Sequence, residues 1–320
     1  MLRSFLIYLS KAAWARRTVT QWMFAWRAAS RFVAGETFDD ALRIVKSLNG
    51  KGINATLDHL GEHTSTQEKA IQATNDILEI LDAIDRAGVR SNVSIKLTQI
   101  GLALDTELCT QNLFRILESS KKRATFIRLD MEDSQWVDKT LELYFLAMHE
   151  CGCENIGVVI QSYLFRSQND VRDLLNENAR IRLCKGAYKE PEDIAYPRKR
   201  DVDANFDRLT AMLVDGAMAG GFPTLSEDGK IPPIPAIGTH DKKRVEYAKA
   251  YARRAGLTQT AIEFQMLHGI RRDLQESLAN EGYPVRVYVP YGTEWYPYFV
   301  RRLAERPANL WFFLSNMLRK

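Results

Sequence analysis

The chain has 320 residues, 46% of them hydrophobic and 26% charged, with a formal net charge of +4. That composition supports a sizeable core and argues against disorder over most of the length. Four cysteines with no C-x-x-C pair leave no structural zinc motif, and together with the lack of a secretory signal they fit a reducing, cytoplasmic setting.

Residues 1–36 read as an N-terminal helical arm. Six basic side chains (Arg3, Lys11, Arg16, Arg17, Arg27, Arg31) and no acid fall in the first 35 residues, interleaved with Phe5, Trp14, Trp22, Phe24 and Trp26. No run of 18 apolar residues occurs, which excludes a spanning helix. Two readings compete for this arm. Its aromatics pack on the body with the arginines in water, or basic amphipathic helices lie on a membrane surface; an Arg-rich presequence is a third, weaker one. The remainder carries 38 basic and 40 acidic residues and no basic stripe, so nucleic acid is not an expected partner.

From residue 37 to 320 one unit recurs: a short β-branched run, a polar turn, then a longer helical pattern. The expected strands are Ile53–Leu57, Asn92–Leu97, Thr125–Asp130, Gly157–Gln161, Arg180–Lys185, Ile234–Thr239, Ala261–Met266 and Val285–Val289. Between and after them come helices over Thr66–Ala87, Asp105–Lys122, Ser134–Glu150, Asp170–Asn178, Asp201–Ala219, Asp241–Ala255, Arg271–Asn280 and Glu294–Glu305, with Asp105 and Ser134 as N-cap residue types. Such alternation implies a parallel sheet, and eight strand–helix pairs predict a (β/α)8 barrel. Two long connections, Lys189–Arg200 and Gly220–Pro235, are rich in proline and are either lids or binding loops, or ordinary surface insertions.

Alternate strand residues face opposite sides. In Val93–Leu97 the apolar set faces the helices and leaves Ser94 and Lys96 inside the barrel. The same alternation puts Arg128 with Asp130, Glu263 with Gln265, and Arg286 with Tyr288 on the inner face, while Gln161 and Arg182 lie on two further strands. A buried polar group without a partner costs about 2–7 kcal/mol, so these side chains must satisfy one another or a ligand. Most lie toward the strand carboxyl ends, where barrel active sites are built; Arg128, Glu263 and Arg286 sit deeper and read as structural. On the last helix Tyr298, Arg301, Arg302 and Glu305 share one face, and the paired guanidiniums suit a carboxylate.

Several patterns invite other readings. His59-Leu60-Gly61-Glu62-His63 has the wrong order for H-E-x-x-H, and Gly61 favours a turn, so no metal site is expected. Ser226–Lys230 lacks P-loop spacing, and no G-x-G-x-x-G occurs anywhere, so a Rossmann site has no support. Cys151 and Cys153 flank Gly152 as a turn, with a redox pair the minor alternative, and Cys184 reads as a small inward-facing residue. A Schiff-base aldolase using Lys96 near an Asp is a second enzymatic possibility.

Six runs in order then show a resemblance: Ser94–Thr98, Arg128–Asp133, Arg182–Tyr188, Gly238–Asp241, Glu263–Gly269 and Tyr298–Leu303 resemble the proline dehydrogenase family, from about Phe38 to Phe313 and nearest to its short monofunctional bacterial members. The resemblance implies a distorted TIM-type barrel holding FAD across the strand carboxyl ends. It implies oxidation of L-proline to 1-pyrroline-5-carboxylate by hydride transfer to flavin N5, with electrons passed on to a membrane quinone. Carried over by position, Met131, Gln161, Lys185, Gly186, Ala187, Thr239 and His240 should touch FAD, and Arg182 should reach the flavin N5/O4 edge. Lys96, Arg301 and Arg302 should bind the proline carboxylate, with Tyr288 and Tyr298 on the ring methylenes. Asp130 should hold Lys96 and help settle the substrate's protonation, and Glu62 should act as a gate pairing with Arg301. A quinone acceptor would give a basic arm a use at the inner membrane.

Overall fold

The computed structural model describes residues 23–305 apart from 153 and 222. Most of the arm, residues 1–22, lies outside the described residues, as do Cys153 and the segment from Arg306 onward. The described part begins with helix α1 (Met23–Ala29) and helix α2 (Phe38–Asn49). The second was not anticipated from the sequence, although Thr37 and Asp40 form a reciprocal capping box at its start. Alternation follows: β1 (Asn54–His59), α3 (Gln67–Ala87), β2 (Ser91–Ile95), α4 (Thr106–Lys122), β3 (Ile127–Leu129), α5 (Val137–Cys151) and β4 (Ile156–Gln161). Then come α6 (Ser167–Asn176), β5 (Arg180–Cys184), α7 (Lys199–Ala219), β6 (Pro235–Gly238), α8 (Lys242–Ala255), β7 (Glu263–Leu267), α9 (Arg272–Asn280), β8 (Val285–Tyr291) and α10 (Trp295–Glu305).

The eight strands close into a parallel barrel in sequence order, with β8 returning to β1 through the register Thr56 to Tyr288. Outward side chains such as Val93, Ile95, Ile127, Leu129, Val158, Ile160, Val285 and Val287 join the helices in one buried cluster, the packing that repeated crossover units require. Asp105 caps α4 by accepting a bond from the Leu108 amide, as its residue type predicts. Ser134 does not cap α5. It is the first residue of a 3-10 turn (Ser134–Trp136) leading into that helix, and its amide and hydroxyl donate to Glu190 instead. No helix among the described residues is long and apolar enough to cross a membrane.

Two features set which end of the barrel is available. The connection 220–234 lies at the amino ends of the strands: Gly229 O accepts from Arg286 Nη2 at 2.7 Å and Lys230 O accepts from Asn92 Nδ2 at 3.0 Å. It covers the end opposite the strand carboxyl ends, so it is no lid over a mouth site. Beneath it Glu263 and Arg286, both essentially without solvent exposure, make a two-point pair at 2.9 and 3.0 Å, and Arg286 also donates to Ala55 O. These two residues are structural, as their depth predicted.

At the other side, α1 and the following turn lie on α10. Ala25, Ala29, Phe32 and Val33 share a buried cluster with Trp295, Phe299, Val300 and Leu303. Trp26 and Trp295 have ring centroids 5.3 Å apart. At Gly269 a Cβ would fall 1.7 Å from Arg31 O, so the turn after α1 rests directly on the backbone beyond β7. The described portion of the arm therefore packs on the barrel.

Candidate active site

The alternation that sends valines and isoleucines outward leaves a connected polar layer inside the barrel mouth. Its hub is Arg182 on β5. Nε donates to Gln265 Oε1 at 2.5 Å, Nη1 to Asp130 Oδ1 at 2.8 Å and Nη2 to Ser94 Oγ at 3.1 Å. Its guanidinium also stands 5.3 Å from the centroid of the Tyr288 ring. Asp130, one residue beyond β3, accepts further bonds from Ser94 Oγ (3.0 Å) and Tyr288 OH (2.6 Å). Five strands or their carboxyl ends thus converge through one carboxylate and one guanidinium, and each buried polar group of this cluster finds the partner its burial demands.

Lys96, one residue beyond β2, faces the same space. Its ammonium lies 2.9 Å from Asp58 Oδ1 and 3.7 Å from Asp130 Oδ2. The nearer partner is Asp58, so Asp130 is not the main holder of Lys96 as the family resemblance implies. Asp58 lies on β1 at 1% exposure, and its Oδ2 makes no hydrogen bond among the described residues. Burial works against the Lys96 charge, but Asp58, Asp130 and Glu62 outweigh it and hold the pKa above the usual lysine range. A Schiff-base nucleophile needs a neutral amine, so this setting disfavours the aldolase alternative.

Glu62, in the segment after β1, forms a two-point ion pair with Arg301 of α10 at 3.0 and 2.5 Å. Burial alone would raise the Glu62 pKa, but Arg301 and then Lys96 reverse it to a net lowering. The pair therefore sits within electrostatic reach of Lys96. Arg302 and Tyr298, four apart on α10, stack on each other at 5.1 Å and are both buried.

The remaining expected cofactor contacts ring the same mouth. Met131 and Thr239 are buried, and Met131 O accepts from Gln161 Nε2 at 3.4 Å. Gln161 Oε1, at the end of β4, is buried and makes no hydrogen bond among the described residues. Lys185 pairs with Asp203 and Asp241 at 2.5 and 2.8 Å. Gly186 has φ +115, and a Cβ there would lie 2.4 Å from the Tyr163 ring, so only glycine fits. Ala187 follows it, half-buried. His240 Nε2 accepts from the Leu267 amide at 2.9 Å, leaving Nδ1 to carry the proton of the neutral ring.

Three mouth residues were not singled out from sequence. Asp58 falls one residue past the first strand expected from sequence, which ends at Leu57, whereas β1 runs on to His59 and keeps the alternation that Ala55 and Leu57 mark. Tyr188 closes the run Arg182–Tyr188. Its phenol pKa is raised well above the usual range, first by burial and then by Glu62, with Glu132 and Asp130 also contributing. Glu132 is buried and accepts from the Thr98 amide (3.0 Å) and hydroxyl (2.5 Å), and burial lifts its pKa to about 7. Of the His-rich run, His59 stacks on Tyr291 at 5.2 Å and His63 is exposed. Among the described residues no group of three or more His, Cys, Asp or Glu is arranged to hold a metal ion.

A closed parallel barrel with its charged centre at the strand carboxyl ends defines the class, a (β/α)8-barrel enzyme. Comparison with known proteins narrows it. A family model described as proline dehydrogenase matches residues 41–314, and the chain belongs to the proline dehydrogenase family. It is 41% identical over 297 residues to proline dehydrogenase of Deinococcus radiodurans, covering 92% of this chain and 91% of that one. It is 38% identical to proline dehydrogenase 1 of Bacillus subtilis strain 168 across the whole of both chains. These end-to-end matches mark the monofunctional type. Among solved structures, proline utilization A from Bdellovibrio bacteriovorus, inactivated by N-propargylglycine, superposes with a TM-score of 0.78 at 25% identity, over 88% of this chain and 33% of that one. The protein is accordingly a proline-oxidising enzyme of the first step of proline catabolism.

Proposed function

We propose that the enzyme converts L-proline to 1-pyrroline-5-carboxylate with FAD as its cofactor and a membrane quinone as the eventual electron acceptor. The observation that carries this reading is the meeting, in one mouth, of the Lys96 ammonium, the Glu62–Arg301 pair and the Asp130–Arg182–Tyr288 cluster. An amino-acid carboxylate asks for such cations, and a redox ring asks for a fixed positive group beside it.

The mouth fits a flavin in two respects. Gln161 Oε1 is a buried acceptor in need of a donor, which a flavin's pyrimidine edge offers. Gly186 and Ala187 present bare backbone beside the Lys185 charge, suited to a cofactor's polar chain. Met131, Gln161, Thr239 and His240 would line the ring and its chain, with Arg182 at the N5/O4 edge. When bound, FAD supplies the hydride acceptor for the proline Cδ.

The protein's own residues do the rest. Lys96, Arg301 and Arg302 hold the carboxylate, and Tyr288, Tyr298 and Tyr188 close on the ring methylenes. Asp130 is already committed to Ser94, Arg182 and Tyr288, so its work is to fix those groups. Glu62 holds Arg301 over the mouth and excludes water. The described part of the arm packs on α10, and the basic composition of the arm as a whole suits a cytoplasmic membrane surface. Anaerobic titration of the purified protein with L-proline tests the reading: the yellow flavin bands should bleach stoichiometrically. Colourless protein, or flavin indifferent to proline, would end it.

A further inference from the structure

Three loops of the mouth are tied by one carboxylate that neither proline nor flavin is assigned to touch. Glu190 lies two residues beyond Tyr188, in the segment leaving β5. Its Oε1 accepts from the Ser134 amide at 2.9 Å and from Tyr163 OH at 3.3 Å, and its Oε2 accepts from the Ser134 hydroxyl at 2.6 Å. Ser134 opens the turn between β3 and α5, and Tyr163 follows β4. The loops after three consecutive strands are therefore joined at this side chain.

The tie has a chemical reason on each side. The first amides of a helix lack intrahelical partners. Asp133 occupies the capping position here without making a side-chain capping bond, and Glu190 supplies the acceptor from a different loop. A carboxylate at a helix amino terminus is also favoured by the peptide dipoles. On the other side, Tyr163 presses its ring on Gly186, its amide donates to Lys185 O at 3.0 Å and its carbonyl accepts from the Tyr196 amide at 2.8 Å. The stretch Lys185–Tyr188 is thus fixed at its start by Tyr163 and just past its end by Glu190. Within it, Gly186 and Ala187 face the cofactor region, and Tyr188 lies in the electrostatic reach of Glu62 and Arg301.

We propose that Glu190, acting with Tyr163, is a positioning residue that sets the path of Lys185–Tyr188 and so places the Tyr188 phenol in the substrate site. The proposal rests on the proline-oxidase reading above. A plain stabilising bond would leave the folded site unchanged when removed. A positioning bond would not, because displacement of a binding group by about 1 Å costs up to about a hundredfold in rate or affinity.

Full-length holoenzyme carrying Glu190→Ala, Glu190→Gln or Tyr163→Phe distinguishes these. Glu190→Ala should raise the proline KM about tenfold and weaken FAD retention while kcat changes about twofold or less, the signature of lost ground-state binding. Glu190→Gln should restore KM nearly to the native value, since its amide can accept from the Ser134 amide and pair with the hydroxyl. Tyr163→Phe should give an intermediate rise. Amide hydrogen exchange over residues 185–196 reads the tie without proline and should quicken in Glu190→Ala. A lowered melting temperature with native KM, FAD retention and exchange would overturn the proposal. If Glu190→Ala does not fold, native KM and exchange in Tyr163→Phe would do so. Native protein that fails to oxidise proline strikes the functional reading, while the exchange comparison still decides the tie.

Discussion

Asp58 Oδ1 lies 2.9 Å from Lys96 Nζ, nearer than the Asp130 carboxylate at 3.7 Å. This pair is all but sealed from solvent, and a buried ion pair broken on one side costs about 3–5 kcal/mol because a charge is left uncompensated. Asp58→Asn should therefore lower folding stability by roughly that amount in denaturant titration. It should also lower the Lys96 pKa, whose elevation depends on Asp58 after burial is overcome. The Lys96 ammonium contributes most below the ordinary lysine pKa and is lost as pH rises through its folded value. In the variant that loss comes earlier, so the alkaline limb of proline affinity should move to lower pH. An unmoved limb would remove Lys96 from carboxylate binding.

Arg301→Met and Arg302→Met should each raise the proline KM by about two orders of magnitude, the scale of a lost charge-assisted pair, and leave flavin content intact. Glu62→Gln should act through Arg301, with a smaller fall in kcat/KM of about tenfold. Loss of flavin in the arginine variants would place them at the cofactor instead.

Arg182 holds Gln265, Asp130 and Ser94 at once. Replacing it with Met should slow the limiting rate of anaerobic flavin reduction about a hundredfold or more, the usual cost of removing a group that stabilises developing charge. Proline affinity should change less. Stopped-flow absorbance separates the two, and equal reduction rates would contradict the role.

Glu132 supplies a pH signature. Burial raises its folded pKa to about 7 against an ordinary 4.5. A raised carboxyl pKa means the folded state binds the extra proton, so wild-type stability falls as pH rises from about 4.5 through about 7. Glu132→Gln keeps the bonds to Thr98 without a titrating group and should escape that loss. Its stability relative to wild type should rise between pH 5 and 8 by roughly 2–4 kcal/mol. A pH-independent difference would show that Glu132 titrates normally.

The barrel was legible because each strand advertises two faces: Val93, Ile95 and Leu97 outward, Ser94 and Lys96 inward. The inner polar set followed from that alternation, and the family resemblance placed Arg182, Tyr288 and Arg301 at the mouth. Other features were hidden for physical reasons. Asp58 needed the register of β1 against β2, where it stands beside Ser94, and no local pattern reports a cross-strand partner. The 220–234 segment has the proline-rich look of a lid, and only its bonds to Asn92 and Arg286 reveal which end it covers. Ser134 resembles a cap by residue type, yet its partner is 56 positions away.

The covered amino-terminal end of the barrel makes traffic through the molecule one-sided. With Gly229 and Lys230 seated on Arg286 and Asn92, the proposed function brings both the amine that supplies electrons and the acceptor that would remove them to a single doorway at the strand carboxyl ends. A shared doorway predicts that they take turns rather than meet, so steady-state rates should give parallel lines in double-reciprocal plots.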